Sequence, residues 1–216
     1  MKDHKTPAPA APKLAAELFP CDSFSALPDE DGRIEGAHIT RADAAAITRP
    51  YLHFDGCIFE NVSFAGGVYR AVSVTDCVFI GCDLTNADFT GAGITRAVFR
   101  TSRLNGLNLI DASLHHVRFD ECGARYINFA NTKVKRAAVC GCDLSDGAFL
   151  QCALTETTFE NTKLIRCEFS RTSLAGIDLS SCAIEGISAA PESLRGACVS
   201  FGQLPDLAGI FGVQVV

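Results

Sequence analysis

Residues 81–100 read GCDLTNADFTGAGITRAVFR and divide into four blocks of five, GCDLT, NADFT, GAGIT and RAVFR. The second residue of each block is small, and the fourth is large and apolar. An α-helix repeats every 3.6 residues and a half-buried strand every two, so neither produces a period of five. The stretch therefore requires another regular backbone, one that is built from five-residue units.

The same frame continues along most of the chain without an insertion. Blocks such as GCIFE, DCVFI, YINFA, GCDLS, QCALT and SCAIE keep it from Tyr51 to about Pro205, and weaker blocks extend it upstream to Asp31. Internal repeats of this kind define the architecture of a protein before any local pattern does. We therefore predict one repeat array over residues 31–205.

A second period of twenty residues lies over the first. Aromatic residues favour alternate columns of the array, and one such column reads Phe59, Phe79, Phe99, Phe119, Val139, Phe159, Leu179. A coil with four blocks per turn explains this pattern, because residues twenty apart would then stack at the strand spacing of about 4.8 Å. We predict an all-β fold, a quadrilateral parallel β-helix (a β-solenoid) of about nine coils.

The segments outside the array differ from it in composition. Residues 1–12 are rich in Pro, Ala and Lys and are predicted to be a disordered tail. Residues 13–30 are predicted to form an irregular or short helical N-terminal cap, in which KLAAELF is the candidate for a helical turn. The apolar segment 206–216 is predicted to cap the last turn or to serve as a dimerisation surface.

The chain contains eleven cysteines but has no apolar segment at its N-terminus that is typical of a secretory signal. This odd count favours reduced thiols and a cytoplasmic location. Eight cysteines take the small second position of a block, where we predict compact core packing rather than a metal or redox cluster. They are Cys57, Cys77, Cys82, Cys122, Cys142, Cys152, Cys167 and Cys182.

The blocks GCDLT, NADFT and GCDLS resemble the A(D/N)LXX pattern of the pentapeptide-repeat family, and the resemblance covers about four-fifths of the chain. It implies a right-handed quadrilateral β-helix, often a homodimer that is joined through the C-terminal coils. The best-understood members of this family resemble DNA in shape and charge. They bind DNA gyrase or topoisomerase IV and protect it from quinolones or natural topoisomerase poisons, which makes this role one hypothesis for the chain.

The net charge of the chain limits the classes of partner that it is expected to bind. The formal charge of −6 argues against direct binding of nucleic acid, and no apolar run approaches the roughly 20 residues of a membrane span. Duplex DNA carries one charge per roughly 1.7 Å, so a DNA mimic about 40 Å long would present about two dozen negative charges. Residues 31–205 hold 19 acids and 16 bases, far fewer net charges than mimicry requires.

The middle of the array carries a local excess of positive charge, with eight bases and three acids in residues 91–140. Arg96, His116 and Arg136 share one predicted column, while His115 and Lys135 share the next. We predict a basic corner that either docks an acidic partner or forms a solvated ladder closed by Asp76 and Glu156 through weak ion pairs. The candidate partner-binding residues are Arg96, His115, His116, Arg118, Lys135 and Arg136.

Residue patterns that indicate catalysis are absent from the sequence. GAGITR, at residues 91–96, has Arg where the dinucleotide-binding pattern requires its last Gly. Cys140 and Cys142 are expected to point to opposite sides, which is wrong for joint metal ligation. An enzyme that uses Cys140 or the His115–His116 pair stays the least favoured hypothesis. We predict a non-catalytic protein-interaction scaffold without a cofactor or metal, either alone or as a homodimer.

Overall fold

The computed structural model describes residues 6–23, 32–45 and 47–215. From Arg33 to Cys198 the chain winds as a coil whose successive turns pair in parallel, with partner residues twenty apart. Phe54, for example, pairs with Ile34 of the preceding turn and Val74 of the following one. The predicted turn of twenty residues and the parallel β-solenoid are both confirmed.

Each turn has four sides, which we name A to D in chain order. Sides A and B carry strands, whereas sides C and D pair through single bridges such as Asp83↔Arg103 and Asp88↔Asn108. Side A holds the early strands β2, β4 and β6, side B holds β3, β5 and β7, and the longer strands β8–β11 run across both. The strands are β1 (Phe19–Cys21), β2 (Arg33–Glu35), β3 (Ala37–Thr40), β4 (His53–Asp55), β5 (Ile58–Glu60), β6 (Ser73–Thr75), β7 (Val78–Ile80), β8 (Gly93–Arg100), β9 (Ser113–Asp120), β10 (Lys133–Cys140) and β11 (Ala153–Glu160).

The strands form about seven turns, whereas the number of blocks predicts nine coils. Sides A and B each carry seven levels of strand among the described residues, and beyond Glu160 they continue as turns and single bridges. The five-residue period of the sequence continues beyond Glu160. The blocks nearest each end of the coil, however, do not have a complete paired turn both before and after them. Counting blocks therefore overestimates the number of strand levels.

The core is a set of vertical columns inside the coil. The rings of Phe79 and Phe99 are both buried and stack with centroids 4.6 Å apart and planes 10° apart. All eight cysteines of the second block position are buried, whereas Cys140 is only half-buried and Cys198 is exposed. The predicted inward positions of the small and large residues are therefore confirmed.

The C-terminal end of the coil is closed by a helical cap, which begins at Phe201, inside the range predicted for the array. It consists of a 3₁₀ turn (Phe201–Gln203), helix α1 (Leu204–Ala208) and a second 3₁₀ turn (Gly209–Phe211). The side-chain amide of Gln203 donates hydrogen bonds to the carbonyl oxygens of Leu179 and Cys182, at 2.8 and 2.7 Å. The Leu179 oxygen also accepts the backbone N–H of Cys182, at 2.9 Å, whereas Gln203 supplies the Cys182 oxygen with the donor that a further turn would provide.

The N-terminal segment lies along the side of the coil. Residues 6–18, which we name the strap, form no helix, so the helical turn considered for KLAAELF does not occur. Prolines at positions 7, 9 and 12 disfavour a helix and suit an extended backbone. The strap leads into β1, which pairs with β3 at an offset of 18 residues. The sequence predicts a disordered tail over residues 1–12. Residues 1–5 of it lie outside the described residues, and residues 6–12 belong to the strap.

Candidate partner-binding surface

The basic corner predicted from the sequence lies where side A meets side B, and we name it the A–B corner. Its residues all have φ between 50° and 77°, the left-handed conformation in which the chain turns from one side to the next. From the first strands onward they are Gly36, Gly56, Asp76, Arg96, His116, Arg136, Glu156 and Gly176. The corner therefore presents one outward side chain, or a glycine, at each level.

The two arginines of the A–B corner are engaged in ion pairs. Arg96 donates from Nε and Nη2 to the two carboxylate oxygens of Asp76, both at 2.6 Å. Arg136 donates from Nε to Glu156 at 2.5 Å. Hydrogen bonds from these guanidinium groups lower the pKa of both carboxyl groups. The predicted closure of the corner by Asp76 and Glu156 is thus present, and it neutralises much of the positive charge.

His116 forms a hydrogen bond with the strap. Its Nδ1 accepts a hydrogen bond from the backbone N–H of Ala10 at 2.9 Å, which requires a neutral imidazole with its proton on Nε2. Burial lowers the pKa of His116, and so do His115, Arg136 and Arg96, while Glu156 acts in the opposite direction. At neutral pH His116 therefore acts as a hydrogen-bond acceptor rather than a cation.

Arg118 lies apart from the other candidates, on side B. Its Nε is 2.7 Å from the Asp120 carboxylate, and its Nη2 lies 3.7 Å from Sγ of Cys140. The hydrogen bond to Asp120 raises the pKa of Arg118, which keeps the pair charged. The structure thus separates Arg118 from the rest of the predicted basic surface.

Side A retains positive charge that is not held in close ion pairs. Lys135 pairs in register with His115, and Lys133 lies two residues earlier on the same outward face. Within the part of the chain that the structure describes, none of these three side chains lies within 4.0 Å of a carboxylate oxygen. Together with Thr95 they line an open depression of about 550 Å³. We name Lys133 and Lys135 the side A cations, and His115 lies beside them.

Lys133 is the residue that the sequence-based site missed. Successive residues of a strand alternate between faces, so residues two apart share one face. Since Lys133 and Lys135 are two apart in β10, the strand period could have identified Lys133 once side A was known to be a strand. The predicted corner is built from residues twenty apart, which lie in one column. Lys133 and Lys135 are instead neighbours within one strand.

The residues considered for catalysis form no reactive grouping. No cluster of three or more potential metal ligands occurs in residues 6–23, 32–45 and 47–215. Desolvation raises the pKa of Cys140, which decreases its thiolate fraction at neutral pH. The rings of His115 and His116 lie 4.3 Å apart, and the opposed positions of Cys140 and Cys142 are as predicted.

Fold and surface together define a regular solenoid with charged residues on its outer sides. Two family models match the chain, one for a pentapeptide repeat region over residues 72–149 and one for pentapeptide repeats in eight copies over residues 149–186. The chain belongs to the pentapeptide repeat family. No curated protein matches it.

Solved structures of other pentapeptide repeat proteins are similar to this chain at low identity. Full-length QnrB1, a plasmid-mediated fluoroquinolone resistance protein, is 16% identical with a TM-score of 0.45, covering 91% of this chain and 99% of its own. HetL of the cyanobacterium Nostoc sp. strain PCC 7120, involved in heterocyst differentiation regulation, is 14% identical with a TM-score of 0.27, covering 82% and 94%. Among the described residues, no helix is long and apolar enough to cross a membrane.

Proposed function

We propose that this chain is a non-catalytic interaction scaffold that binds an acidic protein partner through side A. The observation that carries the proposal is the pair of side A cations, which lie together on one strand without close carboxylate partners. Elsewhere on the coil, several basic residues are paired, as in Arg103–Asp83 at 2.7 Å and Arg166–Asp146 at 2.7 Å. Cations without close partners are the ones available to an incoming acidic surface.

The geometry of side A suits recognition by electrostatic complementarity. Both cations are fixed to β10, which pairs in parallel with β9 from Lys133↔Ser113 onward, so little backbone ordering is needed on binding. A cluster of like charges also attracts an opposite surface over distance and raises the association rate. Because the depression on side A is open rather than enclosed, it provides area for a protein surface rather than a closed cavity for a small substrate.

The experiment compares proteins captured from lysate by three forms of the full-length chain. Lys133→Glu/Lys135→Glu reverses the charge of side A, and Arg41→Glu/Lys163→Glu makes the same change of charge elsewhere. We expect the wild type and the control to retain a common partner that the side A variant loses, and high salt to release it. Identical captured sets from both variants would show that side A binds no partner.

A narrower candidate is protection of a type II topoisomerase, and family membership supports it. The ion pairs on the coil weigh against it, because a DNA mimic needs unpaired carboxylates on one continuous face. A gyrase supercoiling assay with and without a quinolone tests this candidate directly. Neither inhibition nor protection at micromolar protein would exclude it while leaving the broader scaffold proposal intact.

A further inference from the structure

The strap follows the A–B corner over most of the length of the coil. Thr6 lines a groove with Gly176 of this corner, and Phe19 begins β1 next to β3 in the first turn. Thirteen residues of polyproline II helix span about 40 Å at 3.1 Å per residue. Seven turns of the coil measure about 34 Å, so the strap has to be close to fully extended.

Two backbone N–H groups attach the strap to the corner. Ala10 N–H donates to Nδ1 of His116 at 2.9 Å, and Lys13 N–H donates to Oδ1 of Asp76 at 2.8 Å. Asp76 is only 7% exposed although it occupies an outward corner position. Both acceptors are side chains of the corner, while the strap contributes main-chain donors. The corner therefore recognises the backbone conformation of the strap.

The spacing of the donors matches the spacing of the acceptors. A polyproline II helix has three residues per turn, so the N–H groups of Ala10 and Lys13 point to the same side, about 9.3 Å apart. Asp76 and His116 are separated by two turns of the coil, which is about 9.6 Å. An extended segment of this type thus docks in register with the corner.

The sequence of the strap favours an extended backbone and keeps an N–H group at both donor positions. Residues 7–13 read PAPAAPK, and proline occupies positions 7, 9 and 12 but neither donor position. Proline fixes φ close to the polyproline II value and has no N–H, and it also holds the preceding residue extended. The segment is pre-organised for the corner and keeps its N–H groups at the two positions that the corner uses.

We propose that the A–B corner between Asp76 and His116 is a binding site for polyproline II peptides. The strap is its resident ligand, and a proline-rich segment of a partner protein binds there by displacing it. Docking through two hydrogen bonds to an exposed edge is weak enough for exchange, because each bond contributes about 1 kcal/mol. This site adjoins the side A cations, which lie on the neighbouring face, but its two hydrogen-bond acceptors are residues of the corner.

The test uses the full-length chain and a fluorescein-labelled, acetylated peptide of residues 6–15, TPAPAAPKLA. In the chain, Ala10→Pro/Lys13→Pro removes both donors from the strap and preserves its polyproline II preference. Ala11→Pro is the matched control, because the structure shows no hydrogen bond from the N–H of Ala11. All these substitutions lie outside the coil, and circular dichroism verifies that the coil is folded.

Fluorescence anisotropy measures the affinity of the peptide for each chain. The wild type and Ala11→Pro should bind it weakly, because the strap competes at high effective concentration. The Ala10→Pro/Lys13→Pro chain should bind it at least about tenfold more tightly. Adding His116→Ala to that chain should weaken binding about fivefold, the effect of one neutral hydrogen bond.

A peptide with proline at both donor positions is the negative probe and should bind none of the chains. Equal affinity of the labelled peptide for the Ala10→Pro/Lys13→Pro chain and the Ala11→Pro control would overturn the proposal. That result would mean either that these N–H groups do not hold the strap or that the vacated corner does not bind the peptide. In both cases the corner would not select polyproline II N–H groups.

Discussion

The individual residues under most conformational strain are those at the corners of the coil. Twenty described non-glycine residues have positive φ, a conformation that costs an L-residue about 1–2 kcal/mol. Asn and Asp tolerate it best, and a β-branched residue tolerates it least. Thr101 is the β-branched member of this set, with a φ of 46°. Because its side chain is branched at Cβ, Thr101 cannot adopt this positive φ without backbone strain.

We expect Thr101→Gly to raise the free energy of unfolding by about 1 kcal/mol, because glycine adopts positive φ without a steric penalty. The backbone N–H of residue 101 still donates to the carbonyl oxygen of Asp120, at 2.9 Å in the wild type. Equilibrium urea denaturation measures the change. Ser113→Gly in the extended strand β9 is the control and should lose about 0.5–1 kcal/mol. A loss of similar size at both positions would contradict the strain argument.

Among the structural elements, one aromatic column of the core runs through four successive turns. Phe59, Phe79, Phe99 and Phe119 stack in succession with centroid distances of 4.8, 4.6 and 5.1 Å. Val139 takes the next position and interrupts the column before Phe159. A narrow void of about 10 Å³ lies there, and Phe119, Val139 and Phe159 are among its lining residues. The smaller side chain leaves the column incompletely packed.

Filling this void should stabilise the coil. We expect Val139→Leu to add about 0.8 kcal/mol to the free energy of unfolding, the gain for one buried methylene. Val74→Leu adds the same group at a fully buried position that does not line the void, and it should cost about 1–3 kcal/mol through overpacking. Equilibrium urea denaturation measures the free energy of unfolding of both variants. A destabilised Val139→Leu protein would show that the void cannot accept a methylene.

The columns could be predicted because residues twenty apart experience the same environment, so the sequence records the period many times. The strap could not be predicted in this way, since its contacts are two backbone N–H groups that meet one histidine and one aspartate. The composition of the strap suggests disorder, and only the separation of His116 and Asp76 by two turns of the coil indicates that its prolines fit the corner. The pairing of Arg96 with Asp76 and of Arg136 with Glu156 followed from positions twenty apart in one column. Lys133 could be found only from the alternation of faces along a strand.

For the whole molecule, the C-terminal end of the coil is closed but presents apolar side chains. Leu207 is buried in the cap, whereas Phe201 is 89% exposed and Phe211 is 58% exposed. Leu204, Val213 and Val215 are exposed near them in sequence. Exposed apolar groups of this kind mark association surfaces in soluble proteins. The C-terminal end is therefore the place where a second copy would bury most apolar area.

We expect the chain to dimerise through this end, and Phe201→Glu/Phe211→Glu to make it monomeric, because burying two carboxylates at an apolar interface is unfavourable. Size-exclusion chromatography with light scattering at micromolar protein measures the mass. The control Phe19→Glu/Tyr51→Glu introduces the same charges at exposed aromatic positions in the N-terminal part of the chain and should leave the dimer intact. A monomeric wild type, or a dimer that only the control dissociates, would refute this arrangement. A dimer joined at its C-terminal ends would leave side A and the A–B corner of both copies free for partners.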